Sequence, residues 1–565
     1  MKTQWKKIKL FIAGISIIIS IECFTPLTAY GFSRIVDLLL NNEPVKPEDF
    51  ITTLKKAKKN PKKNKLSIVE ARHTNTKNLQ FEIDTSGVVV KNENDIQAPI
   101  SNQGFLDSIQ EAIDLWDDVD IANVSFAPLK FASGSADAND GKNIISFRAS
   151  EPPEGVPDGA NYISIINYAR TENVLFMGKN IKVKPGAILD ADIIFDPTNN
   201  PCLALQTTIG DFKIGGDDVD INEGGVDPSA DLSICSSVSG GDITELAIQG
   251  IGSALGLDPS AIASAATSSV SEIRERYSLT SDDKIGLANI YPNKKNLKNR
   301  GSIRGKVLLN KKAVVGAHVV LEDNNSGEPL VGVLSNIKGQ FSINHIPEGT
   351  YTVYVEPLDG PARKNAFPRV FYGTVGQLNF TTSVFNKDIT IRKNKTTHLS
   401  INVKELSASA FNINYQTVAL TEAAVNEFGG AFLLPIRIMP GETITDVQFW
   451  GDNISTGFGT LTVSGPGITI SNETDASIPI SPFVQCEECE DSADNPCKRD
   501  PRCPVTHEIT VEPDQIQGII VDITCDPDVE AGPRNIIFTG NQIDPTHPSF
   551  GLRDQISGGL IVTEE

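Results

Sequence analysis

Gln249, Ser253 and Pro259 have the spacing of zinc ligands but not their chemistry. Gln249 and Ser253 lie four residues apart in the stretch DITELAIQGIGSALGLDPS, and Pro259 follows six residues later. A zinc site of this spacing needs two His on one helix face, a Glu beside the first as general base, and a third ligand beyond a glycine turn. Gln and Ser are poor zinc ligands, Pro has no side-chain donor, and Gly250 at the base position cannot accept a proton. The stretch therefore predicts the helix and turn of a zinc site without its catalytic residues.

Histidines elsewhere in the chain do not replace the missing ligands. The six His stand at positions 73, 318, 345, 398, 507 and 547, so none lies near this helix in the sequence. The helix itself is predicted to begin near Asp242 or Thr244 and to stop at Gly256. A packed helix rich in glycine and alanine is the alternative interpretation of this stretch taken alone.

An acidic stretch offers a different kind of metal site. The segment GGDDVDINEGGVDPSADLS carries hard oxygen ligands suited to Ca²⁺, namely Asp217, Asp218, Asp220, Asn222 and Asp227. It lacks the spacing and the terminal Glu of an EF-hand loop. A solvated acidic loop is the alternative that we favour, with a calcium site as the second interpretation.

Cysteines are concentrated in two regions. After Cys23 there are seven, and the disulfide candidates are Cys202, Cys235, Cys486, Cys489, Cys497, Cys503 and Cys525. Cys202 could pair with Cys235, and the loop 486–503 could hold two disulfides or a four-thiolate zinc knot. Disulfides are favoured if the protein is exported, and the odd number leaves one thiol free or intermolecular.

The N-terminus indicates export. MKTQWKKIKLFIAGISIIISIECF is a basic start followed by an apolar run, and small residues precede a predicted cleavage after Gly31. Residues 1–31 are therefore predicted to be a signal peptide, with an uncleaved membrane anchor as the alternative and no membrane span in the mature chain. The formal net charge of −21 argues against nucleic acid and anionic membranes as partners.

Length and texture divide the 565 residues into several domains. Residues 32–77 are predicted to be a basic leader or linker, in which SRIVDLLLNN forms a short amphipathic helix and KKAKKNPKKNK is solvated. Residues 78–293 mix strands and helices; one helix carries apolar residues at helical spacing, at Phe105, Ile109, Ile113 and Trp116. Thr280 or Ser281 is predicted to cap a later helix that ends before Pro292.

Five motifs in this mixed region resemble a matrixin-type metzincin metalloprotease domain. In order they are AIDLWDDVDIANVSFAPLKF, DGKNIISF, GAILDADIIFD, the helix stretch above, and LTSDDKIGLANIYP. The resemblance implies an α/β domain with a twisted sheet, in which GAILDADIIFD is the strand that edges the substrate cleft. It also implies a methionine turn after the third ligand, yet no Met stands between Met177 and Met439. Together with Gln249, Gly250, Ser253 and Pro259 at the ligand and base positions, this predicts a degenerate domain without zinc.

The remainder of the chain has the texture of β-sandwich domains. Short alternating strands fill residues 301–404, which resemble a carboxypeptidase regulatory-like, transthyretin-like domain at Gly305, Gly339, Gly349 and Tyr351. Residues 410–565 resemble an Ig-like domain of the IPT type through ITDVQFWGDNIS and VSGPGITI, interrupted by the Cys-rich loop.

These features predict a secreted or cell-envelope multidomain protein. The first hypothesis is a non-catalytic pseudoprotease that binds an unidentified protein or surface ligand, with no cofactor except a possible Ca²⁺. An extended peptide could pair with an edge strand of the degenerate substrate cleft, because strand pairing needs only backbone groups. The alternative hypothesis is a secreted zinc metalloendopeptidase with a substituted metal site.

Overall fold

The computed structural model shows a chain that is mostly β-structure with four helices in its described part. It describes residues 15–23, 33–84 (without 35, 42, 46–48, 61 and 64–65), 90–91, 97–98, 102–147 (without 133–135 and 137–139), 160–195, 243–268, 278–359, 376–406, 412–417, 435–480 and 514–563. None of the helices within these ranges combines the length and apolar character needed to cross a bilayer.

The N-terminal region folds against the first domain. Its elements are β1 (Ile15–Cys23), β2 (Ser33–Arg34), β3 (Val36–Leu40), β4 (Glu43–Pro44), α1 (Phe50–Lys59) and β5 (Leu66–Glu70). Strands β4, β3 and β5 form a small antiparallel sheet. The predicted amphipathic helix at 33–42 is wrong, because its apolar residues pair as a strand with β5. The basic stretch, predicted to be a solvated linker, begins inside α1.

The first domain is built on a mixed sheet. Its strands are β6 (Phe81–Asp84), β7 (Val90–Lys91), β8 (Gln97–Ala98), β9 (Lys130–Phe131), β10 (Asn143–Phe147), β11 (Ala160–Ala169), β12 (Asn173–Phe176), β13 (Lys179–Lys182), β14 (Ile188–Phe195) and β15 (Leu257–Asp258). The main sheet has the order β1-β11-β14-β10-β6-β9. Strands β14, β10, β6 and β9 are parallel, whereas β11 is antiparallel to both β14 and β1.

The motif GAILDADIIFD forms an interior strand of this sheet, since β14 lies between β10 and β11. Every residue of β14 except Leu189 is buried. A strand covered on both faces reads as an apolar run rather than an alternating one. The place of this motif beside a substrate cleft stays a prediction.

Two helices cover the main sheet. They are α2 (Asn102–Asp117) and α3 (Ile243–Ala254). The expected helical spacing in α2 is confirmed, since Phe105, Ile109, Ile113 and Trp116 are all at most 2% exposed. The indole Nε1 of Trp116 donates a hydrogen bond to the Ile248 carbonyl at 3.0 Å, which fixes α2 against α3.

The second domain contains two sheets. Its strands are β16 (Arg300–Leu309), β17 (Lys312–Ala313), β18 (His318–Asp323), β19 (Pro329–Leu334), β20 (Gln340–Pro347), β21 (Gly349–Glu356), β22 (Phe380–Thr381), β23 (Ser383–Val384), β24 (Ile389–Ile391) and β25 (Thr396–Glu405). One sheet has the order β17-β16-β25-β22, with β20 also on β16. The other has the order β19-β18-β21-β23, with β24 also on β21.

The fourth helix joins the first two domains. Helix α4 (Ser281–Ile290) lies against β19 and β20, and one apolar core continues from Leu287 of this helix through Leu297 to Ile303 of β16. The sequence between the two domains is therefore a packed joint rather than an open linker.

The third domain has its own core. Its strands are β26 (Asn412–Thr417), β27 (Ile436–Ile438), β28 (Thr443–Asp452), β29 (Gly459–Val463), β30 (Ile468–Ile480), β31 (Asp514–Cys525), β32 (Gly532–Gly540) and β33 (Arg553–Val562). The sheets β26-β28-β31-β30 and β27-β33-β32-β29 enclose residues such as Phe449, Ile519 and Phe538. The described part of the chain is thus multidomain and dominated by β-sheets.

Candidate functional site

Small residues let α3 lie close to both of its neighbours. A side chain at Gly250 would place its Cβ 2.9 Å from Cγ2 of Ile193 in β14. At Gly252 a Cβ would lie 3.0 Å from both the Trp116 indole and the methyl of Thr267. All twelve residues of α3 are buried. The position expected for a general base is therefore occupied by the contact between helix and sheet.

The positions expected for metal ligands also serve packing. The Gln249 side chain is 6% exposed, and its Nε2 donates to the Ser268 carbonyl at 3.2 Å. Ser253 is 5% exposed, whereas Pro259 is half-buried beyond the turn. Through its bond to Ser268, the Gln249 amide thus fastens the end of the segment 260–268 to α3. This is the helix that was predicted to lack its zinc ligands.

Gly256 ends the helix as the sequence predicts. Its φ is +93°, and a Cβ there would lie 2.5 Å from the Ala71 carbonyl oxygen. Glycine is the residue that adopts this conformation without strain. Directly after it, Leu257 pairs with Arg34, so the turn is covered by a strand of the N-terminal region.

Asp283 organises the returning segment. Its carboxylate accepts hydrogen bonds from the backbone N–H groups of Ala266 at 2.8 Å and Thr267 at 3.0 Å, and from the Thr267 hydroxyl at 2.7 Å. The same carboxylate accepts the N–H and hydroxyl of Thr280 at 2.9 and 2.7 Å. Thr280, one of the two predicted candidates, is therefore the N-cap of α4. Asp283, which completes this cap, also holds the segment after α3.

Asp282 connects that segment to the second domain. The Ser260 hydroxyl donates to Asp282 Oδ2 at 2.6 Å, and the N–H of Gly332 in β19 donates to Oδ1 at 2.8 Å. Burial, and next the charge of Asp283, raise the pKa of Asp282 to about 7. The sequence suggested a helix with acids in its first turn, and it gave no signal that one of them reaches another domain.

His73 belongs to the supports of the helix. Its Nε2–H donates to the Ala254 carbonyl at 2.8 Å, at the end of α3. Its backbone N–H donates to the Tyr291 hydroxyl at 2.8 Å, which in turn donates to the Leu255 carbonyl at 2.7 Å. Desolvation lowers the pKa of His73 to about 4, so the imidazole is neutral near pH 7.

Polar side chains also fill the joint between the second and third domains. Glu356 Oε1 accepts from His318 Nδ1 at 2.6 Å and from the Ser557 hydroxyl at 2.7 Å. The Tyr354 hydroxyl lies 2.9 Å from the Ser557 oxygen. Sequence analysis missed this cluster, because its members lie on strands about two hundred positions apart.

Asp554 forms a second buried contact at this joint. Its carboxylate accepts the N–H of Ile413 at 2.7 Å and the hydroxyl of Thr382 at 3.1 Å. Burial raises the pKa of Asp554 to about 7. Acidic side chains are thus among the polar groups that connect the sandwich domains.

The remaining predicted sites fall largely outside the described residues. These are the calcium candidates Asp217, Asp218, Asp220, Asn222 and Asp227, and the cysteines 202, 235, 486, 489, 497 and 503. Cys525 is buried at the end of β31, and its thiol is free among the described residues, so its pairing with one of the other cysteines stays a prediction. Within the described ranges, no three His, Cys, Asp or Glu side chains converge as a metal site would require.

Comparisons with known proteins gave only weak structural likenesses. No family model matches the chain, and no curated protein matches it. A minor pilin of Streptococcus agalactiae is 14% identical over 20% of this chain and 46% of its own length, with a TM-score of 0.13. The 5-hydroxyisourate hydrolase of Klebsiella pneumoniae is 19% identical over 19% of this chain and 85% of its own length, with a TM-score of 0.13. The major pilin subunit of Bacillus cereus is 11% identical over 45% of this chain and 67% of its own length, with a TM-score of 0.14. Likenesses with TM-scores this low establish neither the fold nor the function of this chain.

Proposed function

We infer that the protein is an exported, non-catalytic protein in which a metzincin-like domain serves binding and architecture beside two β-sandwich domains. The observation that carries this proposal is that the positions expected to be catalytic make packing contacts instead. Gly250 is the contact of α3 with Ile193, and Gln249 holds the returning segment through Ser268. Side chains that would hold or activate water on zinc are replaced by groups that pack.

The arrangement of the five motifs supports the metzincin likeness. In chain order they lie on α2, β10, β14, α3 and α4, all within one domain. The Trp of the first motif bonds the helix of the fourth through the Ile248 carbonyl, and the acids of the fifth hold the segment that follows that helix.

Strand β11 supports a binding role. On its outer side it pairs with β1, from Ile15 opposite Ala169 to Glu22 opposite Tyr162. Because β1 falls within the predicted signal peptide, its removal would leave the backbone N–H and C=O groups of this edge without partners. An unpaired edge accepts an extended peptide by main-chain hydrogen bonds. We therefore propose β11 as the peptide-binding strand.

Metal analysis tests the non-catalytic part of this proposal. The purified processed chain, beginning at residue 32, is dialysed against zinc and assayed for bound metal and for cleavage of an unfolded protein substrate. We expect less than one equivalent of zinc in residues 78–293 and no cleavage that a chelator abolishes. One equivalent of zinc with chelator-sensitive cleavage would establish the metalloendopeptidase instead.

A peptide titration tests the binding part separately. The probe is the sequence Ile15–Cys23 carrying terminal lysines for solubility, added to the processed chain. We expect saturable binding, and no binding of the same peptide with prolines at alternate positions, because proline cannot donate to the strand ladder. Equal binding of both peptides would remove β11 from the proposal.

A further inference from the structure

A polar cleft lies beside the end of α4, lined by residues that lie outside both β11 and the sandwich domains. Its volume is about 300 Å³, the lower end of the range for small-molecule sites. Its polar lining consists of Arg72, His73, Thr74, Thr76, Asn123, Lys184 and Tyr291. These residues come from four separate parts of the sequence, so the fold itself assembles the cleft.

The walls of the cleft are fixed by backbone hydrogen bonds. Arg72 N–H donates to the Gly186 carbonyl at 2.8 Å, and its own carbonyl accepts from Ile188 N–H at 2.9 Å. On the opposite side, Asn123 N–H donates to the Tyr291 carbonyl at 2.7 Å. The carbonyl of Tyr291 is thereby occupied, so it does not present an unpaired acceptor to the cleft. A ligand would meet a preformed frame and would spend little free energy on ordering it.

The charge of the cleft is opposite to that of the protein. The chain has a net charge of −21, yet neither Asp nor Glu is among the described residues that line the cleft. Arg72 and Lys184 are both exposed, and no carboxylate within the described ranges pairs with either of them. Two cations without counter-charges, surrounded by hydroxyl and amide groups, favour an anion that also accepts and donates hydrogen bonds.

We propose that this cleft binds an oxyanion, the carboxylate of a sugar acid or inorganic phosphate. The guanidinium of Arg72 suits a bidentate contact with two oxygens, and Lys184 supplies a second charge. The hydroxyls of Thr74 and Thr76 and the amide of Asn123 match the hydroxyl groups of a sugar ring. The two cations Arg72 and Lys184 lie outside β11 and outside the five motifs, so either proposal can fail without the other.

Calorimetric titration of the full chain tests the inference. The probes are sodium glucuronate, inorganic phosphate and, as the neutral counterpart, glucose. For a ligand of this size we expect a dissociation constant on the order of 1 mM at low salt for an oxyanion. Glucuronate binding with no glucose binding identifies the sugar acid, and phosphate binding alone identifies the inorganic anion. Equal binding of glucose and glucuronate, or no binding of either anion, would overturn the site.

Paired variants make the test specific. Arg72→Gln with Lys184→Gln is expected to weaken oxyanion binding at least about tenfold, since each charged hydrogen bond contributes strongly. The control pair Lys338→Gln with Arg392→Gln removes the same charge at exposed positions elsewhere and should leave binding unchanged. Lys184→Gln alone alters one exposed side chain and covers the case in which the double variant does not fold. Unchanged binding in both the double and the single variant would contradict the assignment.

Discussion

The positions of α3 predicted for metal ligands and the joints between domains both bury polar groups, but of different kinds. At the ligand positions the buried groups are neutral, namely the Gln249 amide and the Ser253 hydroxyl, and the one acid of the helix, Glu245, lies in its first turn. At the joints the buried groups are acids, among them Asp282 and Asp554, whose carboxylates accept bonds from a neighbouring domain or segment. The difference teaches that the predicted ligand positions of α3 serve packing, whereas titratable carboxyl groups lie where domains meet. Four predictions test this contrast.

The largest expected effect is the return of a carboxylate to α3. Gly250→Glu would place a Cβ 2.9 Å from Ile193 and a charge in a fully buried helix. We expect a loss of about 4 kcal/mol in the free energy of unfolding, measured by denaturant titration. Gly457→Glu, at an exposed glycine with open space, is the control and should change stability by less than about 0.5 kcal/mol. Wild-type stability in the Gly250→Glu variant would contradict the close packing of α3 against β14.

The joints should make stability depend on pH. The pKa of both Asp282 and Asp554 is raised from 3.8 to about 7. Between these two pH values each carboxyl group is protonated in the folded state and ionised in the unfolded state. Stability is therefore full below about pH 4 and falls as the pH rises to about 7, by on the order of a few kcal/mol. Thermal unfolding across this range measures the slope.

Substitutions identify the groups that cause the pH dependence of stability. Asp554→Asn and Asp282→Asn are each expected to reduce the slope of stability against pH, whereas Asp528→Asn at an exposed position should leave that slope as in the wild type. A slope that survives both joint variants would show that the acids at the joints do not set the pH dependence.

A smaller effect is expected at the first ligand position. Gln249→Leu keeps the volume of the side chain but removes the donor to the Ser268 carbonyl. We expect a loss of about 1 kcal/mol, independent of pH, because no charge is involved. A pH-dependent loss measured in the same titrations would argue that the helix is coupled to the acids of α4.

The smallest effect is expected at the second ligand position. Ser253→Ala removes one hydroxyl from a 5% exposed site in α3 and should change the unfolding free energy by less than about 0.5 kcal/mol. A loss above about 2 kcal/mol would reveal a polar role for Ser253 and weaken the view of α3 as simple core.

Local patterns in the sequence predicted the elements well where packing agreed with them. The spacing of Phe105 and Trp116 marks α2, and the glycine at 256 ends α3 because its φ is positive. The stretch at 33–42 failed because its apolar residues suit a short helix and a strand equally, and pairing with β5 decides between them.

The functional site could be predicted only in part. The sequence alone shows that Gln249 and Ser253 are poor metal ligands and that Gly250 cannot act as a base. The partners that now occupy these positions, such as Ser268 and Ile193, depend on how the chain returns over the helix, which no periodicity encodes. The same holds for Asp282, whose partner Gly332 lies fifty residues away in another domain.

The bond between Asp282 and Gly332 has a practical consequence for dissecting the molecule. Strand β19 ends its sheet, and α4 of the preceding domain lies along it. A cut at residue 300, where the sequence texture changes, would strip this cover from six buried residues of β19. An uncovered apolar strand at a sheet edge is a template for aggregation. The second domain should thus remain soluble only when it is produced with α4 attached, so its folding unit begins before residue 300.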